Sequence, residues 1–286
     1  MNSNRGLDSY TTMYGVFGDP IRHSRSPLML NRAFQETGLN AAYAAFHIKP
    51  GELKAAIQGI RALGFGGVNV TIPHKVEVMD YMDEIDDGAR IIGAVNTVVN
   101  KDGKLIGYNT DGIGYVRSLK EETGIELAGK RVLMLGAGGA ARGVAYALAK
   151  NGVEKIMIAN RTHSKAEELA AAIGPFADTA GMSLDDVQQV LPDVDLIVNT
   201  TSAGMHPHID ELPMPTEGLG AQHLVSDLIY NPRISRFLHE AKANGALIHG
   251  GLGMFIYQGA YAFEYWTGSP APVEAMRQIV EQSLQE

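Results

Sequence analysis

The chain contains no cysteine. That excludes disulfide staples and thiolate chemistry, and it removes the commonest ligands of a structural zinc site. Nor is there an apolar run of the eighteen or so residues that a membrane-spanning helix needs. The first thirty residues hold no continuous apolar segment, so a secretory leader is not expected. Basic runs are missing, and 24 Lys and Arg stand against 32 Asp and Glu, a net charge of −8. This balance opposes nucleic-acid or anionic-membrane partners while leaving room for a local cationic pocket. Glycine, by contrast, is abundant. The 33 glycines among 286 residues are about 12%, against about 7% on average, which suits a fold with many tight strand-to-helix turns. The length allows about two domains. A cytoplasmic protein is the expectation, with a small-molecule partner; a homodimer is compatible with it.

The most informative stretch is residues 131–142, RVLMLGAGGAAR. Four apolar residues in a row predict a buried parallel strand. They run into Gly136-Ala137-Gly138-Gly139-Ala140-Ala141, followed by a helical pattern over 144–150. In a dinucleotide site the first glycine permits the turn, the second lets the backbone approach a pyrophosphate, and a small third residue lets the helix pack against the strand. The phosphates then meet free N–H groups at a helix N-terminus. A second apolar strand over 155–159 completes a βαβ unit of about thirty residues, the context this fingerprint requires.

The end of that second strand lacks the Asp or Glu that holds the ribose hydroxyls of NAD. It offers Asn160-Arg161-Thr162, with Lys165 just beyond. Arg161 can lie against a 2′-phosphate and the adenine face, Thr162 can donate a hydroxyl and Lys165 adds a charge. NADP is therefore the expected cofactor.

Along the chain the pattern predicts strands over 14–18, 41–48 and 67–72. Helices are predicted from Ser26, as N-cap before Pro27, to Thr37, then over 52–63 and 74–83. A hairpin joins 94–99 to 105–108, and Asp111 opens a helix over 112–121. Three more strands, at 196–199, 224–229 and 246–248, make residues 131–249 a doubly wound parallel sheet. Residues 205–220 read as a loop, and helices at 254–266 and 272–284 close the chain. The expected fold class is α/β with two domains: a substrate domain over 1–110, a Rossmann-like NADP domain over 111–250, and C-terminal helices over 251–286 that pack back on the first. The nine histidines show no metal-ligand spacing and read as surface or loop residues.

Polar clusters fall at the strand ends of the first domain. Ser24 and Ser26 put two hydroxyls at a helix start, a seat for a carboxylate. Asn69 and Thr71 share one strand face, and Pro73 turns the chain so that Lys75 follows the strand's C-terminal end. Asn96-Thr97 and Asn109-Thr110 are turn formers within a strand pattern, which points to groups placed for a polar ligand.

Together with Gly251-Leu252-Gly253-Met254 and Gln258, these motifs run in order through the whole chain and resemble the shikimate dehydrogenase family. The resemblance implies reversible NADPH-dependent reduction of 3-dehydroshikimate to shikimate. It further implies that Lys75 and Asp111 form the catalytic pair, with Lys75 exchanging the proton and Asp111 mainly orienting it. Ser24 and Ser26, helped by Tyr230, would hold the substrate carboxylate. Thr71, Asn96 and Gln258 would meet the ring hydroxyls beside Asn69, and Leu228 and Gly251 would lie by the nicotinamide. No metal is implied. Asp19, Leu30 and Ser202-Ala203 depart from the family pattern and bear on shikimate against quinate. The alternatives are a quinate/shikimate dehydrogenase using NAD or NADP, a non-catalytic NADP-binding regulator, and a folate dehydrogenase of similar build.

Overall fold

The computed structural model describes residues 7–285. Two compact units emerge: residues 1–110 with 256–286, and residues 111–255.

In the first unit the elements are β1 (Thr12–Gly18), α1 (Ser26–Thr37), β2 (Ala41–His47), α2 (Leu53–Ala62), β3 (Gly67–Val70), β4 (Glu84–Ile85), α3 (Asp87–Ile92), β5 (Thr97–Lys101) and β6 (Lys104–Tyr108). They form a six-stranded sheet in the order β2-β1-β3-β5-β6-β4. The first three strands are parallel, while β5 runs antiparallel to β3 and forms the hairpin with β6. Phe17, Val68, Val70 and Val98 pack with Leu53, Ile57 and Ile60 of α2.

Several elements differ from the sequence reading. Ser26 is the first helical residue and not the N-cap, because Arg25 holds that position and the Ser24 hydroxyl accepts the Ser26 N–H at 3.2 Å. The strand ends at Val70, two residues before the predicted end, and the helix predicted over 74–83 shrinks to a 3-10 turn at Glu77–Tyr81. The helix α3 was not foreseen. Its signals are short but present: the Asp86 carboxylate accepts the Gly88 N–H at 2.9 Å, and Gly93 closes the helix at φ 70°.

The second unit comprises α4 (Asp111–Thr123), β7 (Arg131–Leu135), α5 (Gly139–Lys150), β8 (Lys155–Asn160), α6 (His163–Ile173), β9 (Asp178–Ser183), α7 (Val187–Val190), β10 (Leu196–Asn199), β11 (Leu224–Asp227), α8 (Arg236–Ala243) and β12 (Leu247–His249). Its sheet has the order β12-β11-β10-β7-β8-β9 and is parallel throughout. Counted within the unit, this is the 3-2-1-4-5-6 order of a dinucleotide-binding fold, read from the far edge. The apolar runs follow from burial on both faces. Val132 and Met134 of β7 pack with α4 and α5, whereas Leu133 and Leu135 pack with Val187, Phe237 and Leu238 on the other side. The edge strand β9, sequence DTAGMS, has no apolar alternation and was missed for that reason. The helix α9 (Leu252–Thr267) begins in this unit and continues into the first, to which α10 (Val273–Ser283) also belongs.

Candidate active site

The glycine turn after β7 is built for close approach. Gly136 has φ 104°, and a Cβ there would lie 2.6 Å from the Thr200 hydroxyl oxygen, so only glycine fits. Gly138 differs. It sits in extended backbone that any residue adopts, at φ −83° and ψ −172°, and a Cβ on it would meet nothing within 4 Å. Neither torsion nor packing in the protein calls for glycine there, whereas a bound pyrophosphate does. The helix α5 starts at Gly139 with no side-chain cap and no acid in its first turn. Ala137, Gly139 and Ala140 are half-buried around this N-terminus, while Ala141 is buried. The donor set fits a dinucleotide pyrophosphate.

At the end of β8 the Asn160 amide donates to the Thr162 carbonyl at 2.9 Å and shapes the turn. Arg161, Thr162 and Lys165 are exposed, and neither cation pairs with a carboxylate among the described residues. Arg142, half-buried in the first turn of α5, is a third cation without such a pair, and the sequence reading passed over it. Its position four residues past the second glycine was the available signal.

On the other side of the switch point, the segment after β11 bears Leu228 and Tyr230, both half-buried. The Leu228 N–H donates to the Asn199 carbonyl at 3.0 Å, and Gly251 N–H donates to the Ile229 carbonyl at 3.1 Å. A Cβ on Gly251 would fall 2.0 Å from the Leu228 carbonyl oxygen, so the missing side chain lets the two backbones touch. The Tyr230 ring stacks on Phe255 at 4.5 Å. Leu228, Tyr230 and Gly251 are thus brought together within the second unit.

Within the first unit a buried polar network joins two more of the predicted site residues, Asn69 and Asn96. The Tyr43 hydroxyl donates to Asn69 Oδ1 at 2.7 Å, and Asn69 Nδ2 donates to the Asn96 carbonyl at 3.2 Å and to Thr97 Oγ1 at 3.1 Å. Asn96 Nδ2 donates to Thr110 Oγ1 at 3.0 Å, and its Oδ1 accepts the Thr110 N–H at 2.9 Å. Burial pushes the Tyr43 phenol well above its ordinary range, against the opposing Ser26 hydroxyl bond. Both Asn69 amide hydrogens therefore go to protein acceptors. The Asn96 bonds hold Thr110; Asp111, the next residue, is buried and opens α4.

Lys75 is half-buried on a turn fastened at several points. Val95 N–H donates to its carbonyl at 2.8 Å, and His74 Nε2 donates to the Ile48 carbonyl at 2.7 Å. Thr71 is half-buried at the start of that turn, with its methyl group where a Cβ on Gly18 would sit. Ser24 is half-buried, Ser26 buried, and Gln258 half-buried on α9. Tyr230 belongs to the second unit and the serine pair to the first.

The reading of the histidines needs correction, since His74, His223 and His249 are buried. His223 accepts the Gly220 N–H at 3.0 Å and donates to the Leu191 carbonyl at 3.0 Å, while His249 bridges the Ser118 and Ser226 hydroxyls at 2.8 and 2.9 Å. No group of three or more His, Cys, Asp or Glu that could hold a metal ion occurs among the described residues, nor is any helix there long and apolar enough to cross a membrane.

A parallel sheet of this order, with open space beside its second glycine and, among the described residues, cations after its second strand that pair with no carboxylate, defines a dinucleotide-binding α/β protein that favours a phosphorylated ribose. The comparisons narrow the class. Residues 16–98 match the family described as the shikimate dehydrogenase substrate binding domain. Residues 118–214 match shikimate / quinate 5-dehydrogenase, and 251–281 match the shikimate 5'-dehydrogenase C-terminal domain. The shikimate dehydrogenase (NADP(+)) of Geobacillus kaustophilus is 51% identical over 95% of this chain and 98% of its own. A shikimate dehydrogenase crystallised with NADP+ is 46% identical, with a TM-score of 0.92 over 98% of both chains. The Listeria monocytogenes shikimate 5-dehydrogenase, crystallised with shikimate and NAD, is 38% identical, with a TM-score of 0.91 over 96% of this chain and 98% of that one. The chain belongs to the shikimate dehydrogenase family.

Proposed function

We propose that the chain is an NADP-dependent oxidoreductase that interconverts 3-dehydroshikimate and shikimate in aromatic amino-acid biosynthesis. The observation that carries this reading is the likeness to NADP(+) enzymes along nearly the whole chain, 51% over 95% of it in one case. The second unit supports the cofactor independently, through Gly136, Ala137, Gly138, Gly139 and Ala140 for the pyrophosphate and Asn160, Arg161, Thr162 and Lys165 for the 2′-phosphate and adenine. When bound, the nicotinamide exchanges the hydride with the carbinol carbon.

The remaining chemistry falls to side chains. Lys75, held by its turn, gives its proton to the developing alkoxide in reduction and takes it back in oxidation. Asp111, buried at a helix N-terminus, orients the ammonium and a substrate hydroxyl. Ser24, Ser26 and Tyr230 hold the carboxylate. Thr71, Asn96 and Gln258 meet the ring hydroxyls, and Asn69 fixes their neighbours from within the network. Leu228 and Gly251 exclude water beside the nicotinamide. We place the protein in the cytoplasm, as a homodimer to be tested by light scattering.

A second reading, broader use of NAD or quinate, is favoured by the NAD in the Listeria enzyme's complex. Following reduced-nicotinamide absorbance with shikimate or quinate, and NADP+ or NAD+, separates the two. Turnover confined to shikimate with NADP+ is the expected result. Comparable rates with NAD+ would support the second reading, and no turnover in any combination would defeat both.

A further inference from the structure

Asp227 ends β11 and is wholly buried. A carboxylate in such a place is costly unless donors satisfy it. Three do. The Ile229 N–H and the Asn199 side-chain amide each donate to Oδ1 at 3.0 Å, and the Ser235 hydroxyl donates to Oδ2 at 2.5 Å. The Ser235 oxygen in turn accepts the Leu238 N–H at 3.4 Å and caps α8. Asn199 Oδ1 accepts the Thr201 N–H at 3.0 Å and its hydroxyl at 2.7 Å. One carboxylate thus ties the end of β10, the start of α8 and the segment between β11 and α8.

That segment carries Leu228 and Tyr230. Beyond Tyr230 it is largely solvent-facing, with Asn231, Arg233 and Ile234 exposed; the Asp227 bonds anchor its first residues, beside the Gly251 N–H to the Ile229 carbonyl and the His206 N–H to the Asn231 carbonyl, both at 3.1 Å. We infer that Asp227 is a positioning residue for the reaction: with Asn199 and Ser235 it fixes the backbone of residues 228–230, and thereby where Leu228 meets the nicotinamide and where Tyr230 meets the substrate carboxylate. The inference rests on the function proposed above.

The test uses the full chain with Asp227→Ala, Asp227→Asn and Ser235→Ala. Asp227→Ala leaves three donors without an acceptor, and misplacement of about 1 Å at a reacting group costs about 100-fold in rate. A fall in kcat of that order is expected, with a raised KM for shikimate. NADP+ affinity, measured by calorimetry, should change by less than about threefold because its phosphates are held elsewhere in the unit. Asp227→Asn keeps an oxygen for Ile229 and Asn199 and should recover most of the loss. Ser235→Ala removes one arm and should fall between them, which decides the matter if Asp227→Ala does not fold. Exchange of the Ile229 amide hydrogen, which needs no substrate, should quicken in Asp227→Ala or, failing that, in Ser235→Ala.

A residue of purely structural importance would lower the folded fraction and leave KM and the exchange of Ile229 in the folded protein unmoved. Unchanged kcat and KM per folded molecule, or NADP+ affinity lost in step with kcat, would overturn the inference. Wild-type protein that binds NADP+ but turns over no shikimate would defeat the proposed function instead, and Ile229 exchange would still report on the anchor.

Discussion

Replacing Gly138 by valine separates a glycine kept for folding from one kept for a ligand. At φ −83° and ψ −172° the position suits a β-branched residue, and a Cβ there meets no protein atom within 4 Å. The substitution should be neutral in stability, or raise it by about 0.4–1 kcal/mol through the unfolded chain. The valine methyl groups would nevertheless occupy the space in front of the N–H groups that open α5. A charge-assisted hydrogen bond is worth about 1.5–3 kcal/mol, so losing one weakens NADP+ by about 10- to 150-fold. Gly136→Ala is the contrast. Its left-handed backbone costs a non-glycine residue about 1–2 kcal/mol, and the added carbon would lie 2.6 Å from the Thr200 hydroxyl oxygen, so it should lower stability as well as affinity. Urea unfolding and calorimetric NADP+ titration of both variants provide the assay. If Gly138→Val keeps its affinity within about twofold, the argument from the missing packing partner is wrong, since an overlap with the phosphate must exceed that.

Lys75→Ala should reduce turnover by about 100- to 10,000-fold with a smaller change in shikimate KM; steady-state kinetics with near-normal kcat would remove it from proton transfer. Arg161→Gln should weaken NADP+ by about 10- to 100-fold and leave NAD+ nearly unchanged, because only the former bears the 2′-phosphate; equal losses on both cofactors would contradict the role given to Arg161. Asp227 titrates at about 6 because burial outweighs the bonds from Ser235, Ile229 and Asn199. The folded state then binds the proton more tightly than the unfolded chain, so this group's contribution weakens stability as pH rises from about 4 to 6 and is level above that. The full effect is on the order of 3 kcal/mol. Asp227→Asn should therefore gain stability relative to wild type over that window, and parallel urea-unfolding profiles of the two proteins between pH 4 and 7 would refute the assignment.

The parallel sheet of the second unit was legible because burial on both faces writes itself as unbroken apolar runs, RVLML, KIMIA and LIVN. The edge strand Asp178–Ser183 was not, since it pairs on one side only and its residues are half-buried or exposed. The N-terminal unit shows a different limit. The hydroxyl and amide residues at its strand ends were correctly picked out as unusual, yet residue type does not tell whether an amide faces a ligand or another amide. Asn69 gives both its hydrogens to Asn96 and Thr97, a fact that depends on the register Asn69 to Thr97 across β3 and β5.

The same register makes the polar network more than a lining. Thr97 faces Tyr108 across the hairpin, and two residues later Thr110 returns its N–H and hydroxyl to Asn96. The chain therefore leaves the hairpin with Thr110 already fixed by the sheet. Most of the amide capacity of Asn69 and Asn96 is used within the first unit, on Thr97 and Thr110, so shortening either should disturb that network as well as any contact with substrate. Among the described residues the Thr71 hydroxyl makes no bond to that network, and a substitution there should act on substrate affinity alone. Asn69 and Thr71, which sequence placed in one class, separate by this: the Asn69 amide is satisfied inside the protein by Tyr43, Asn96 and Thr97.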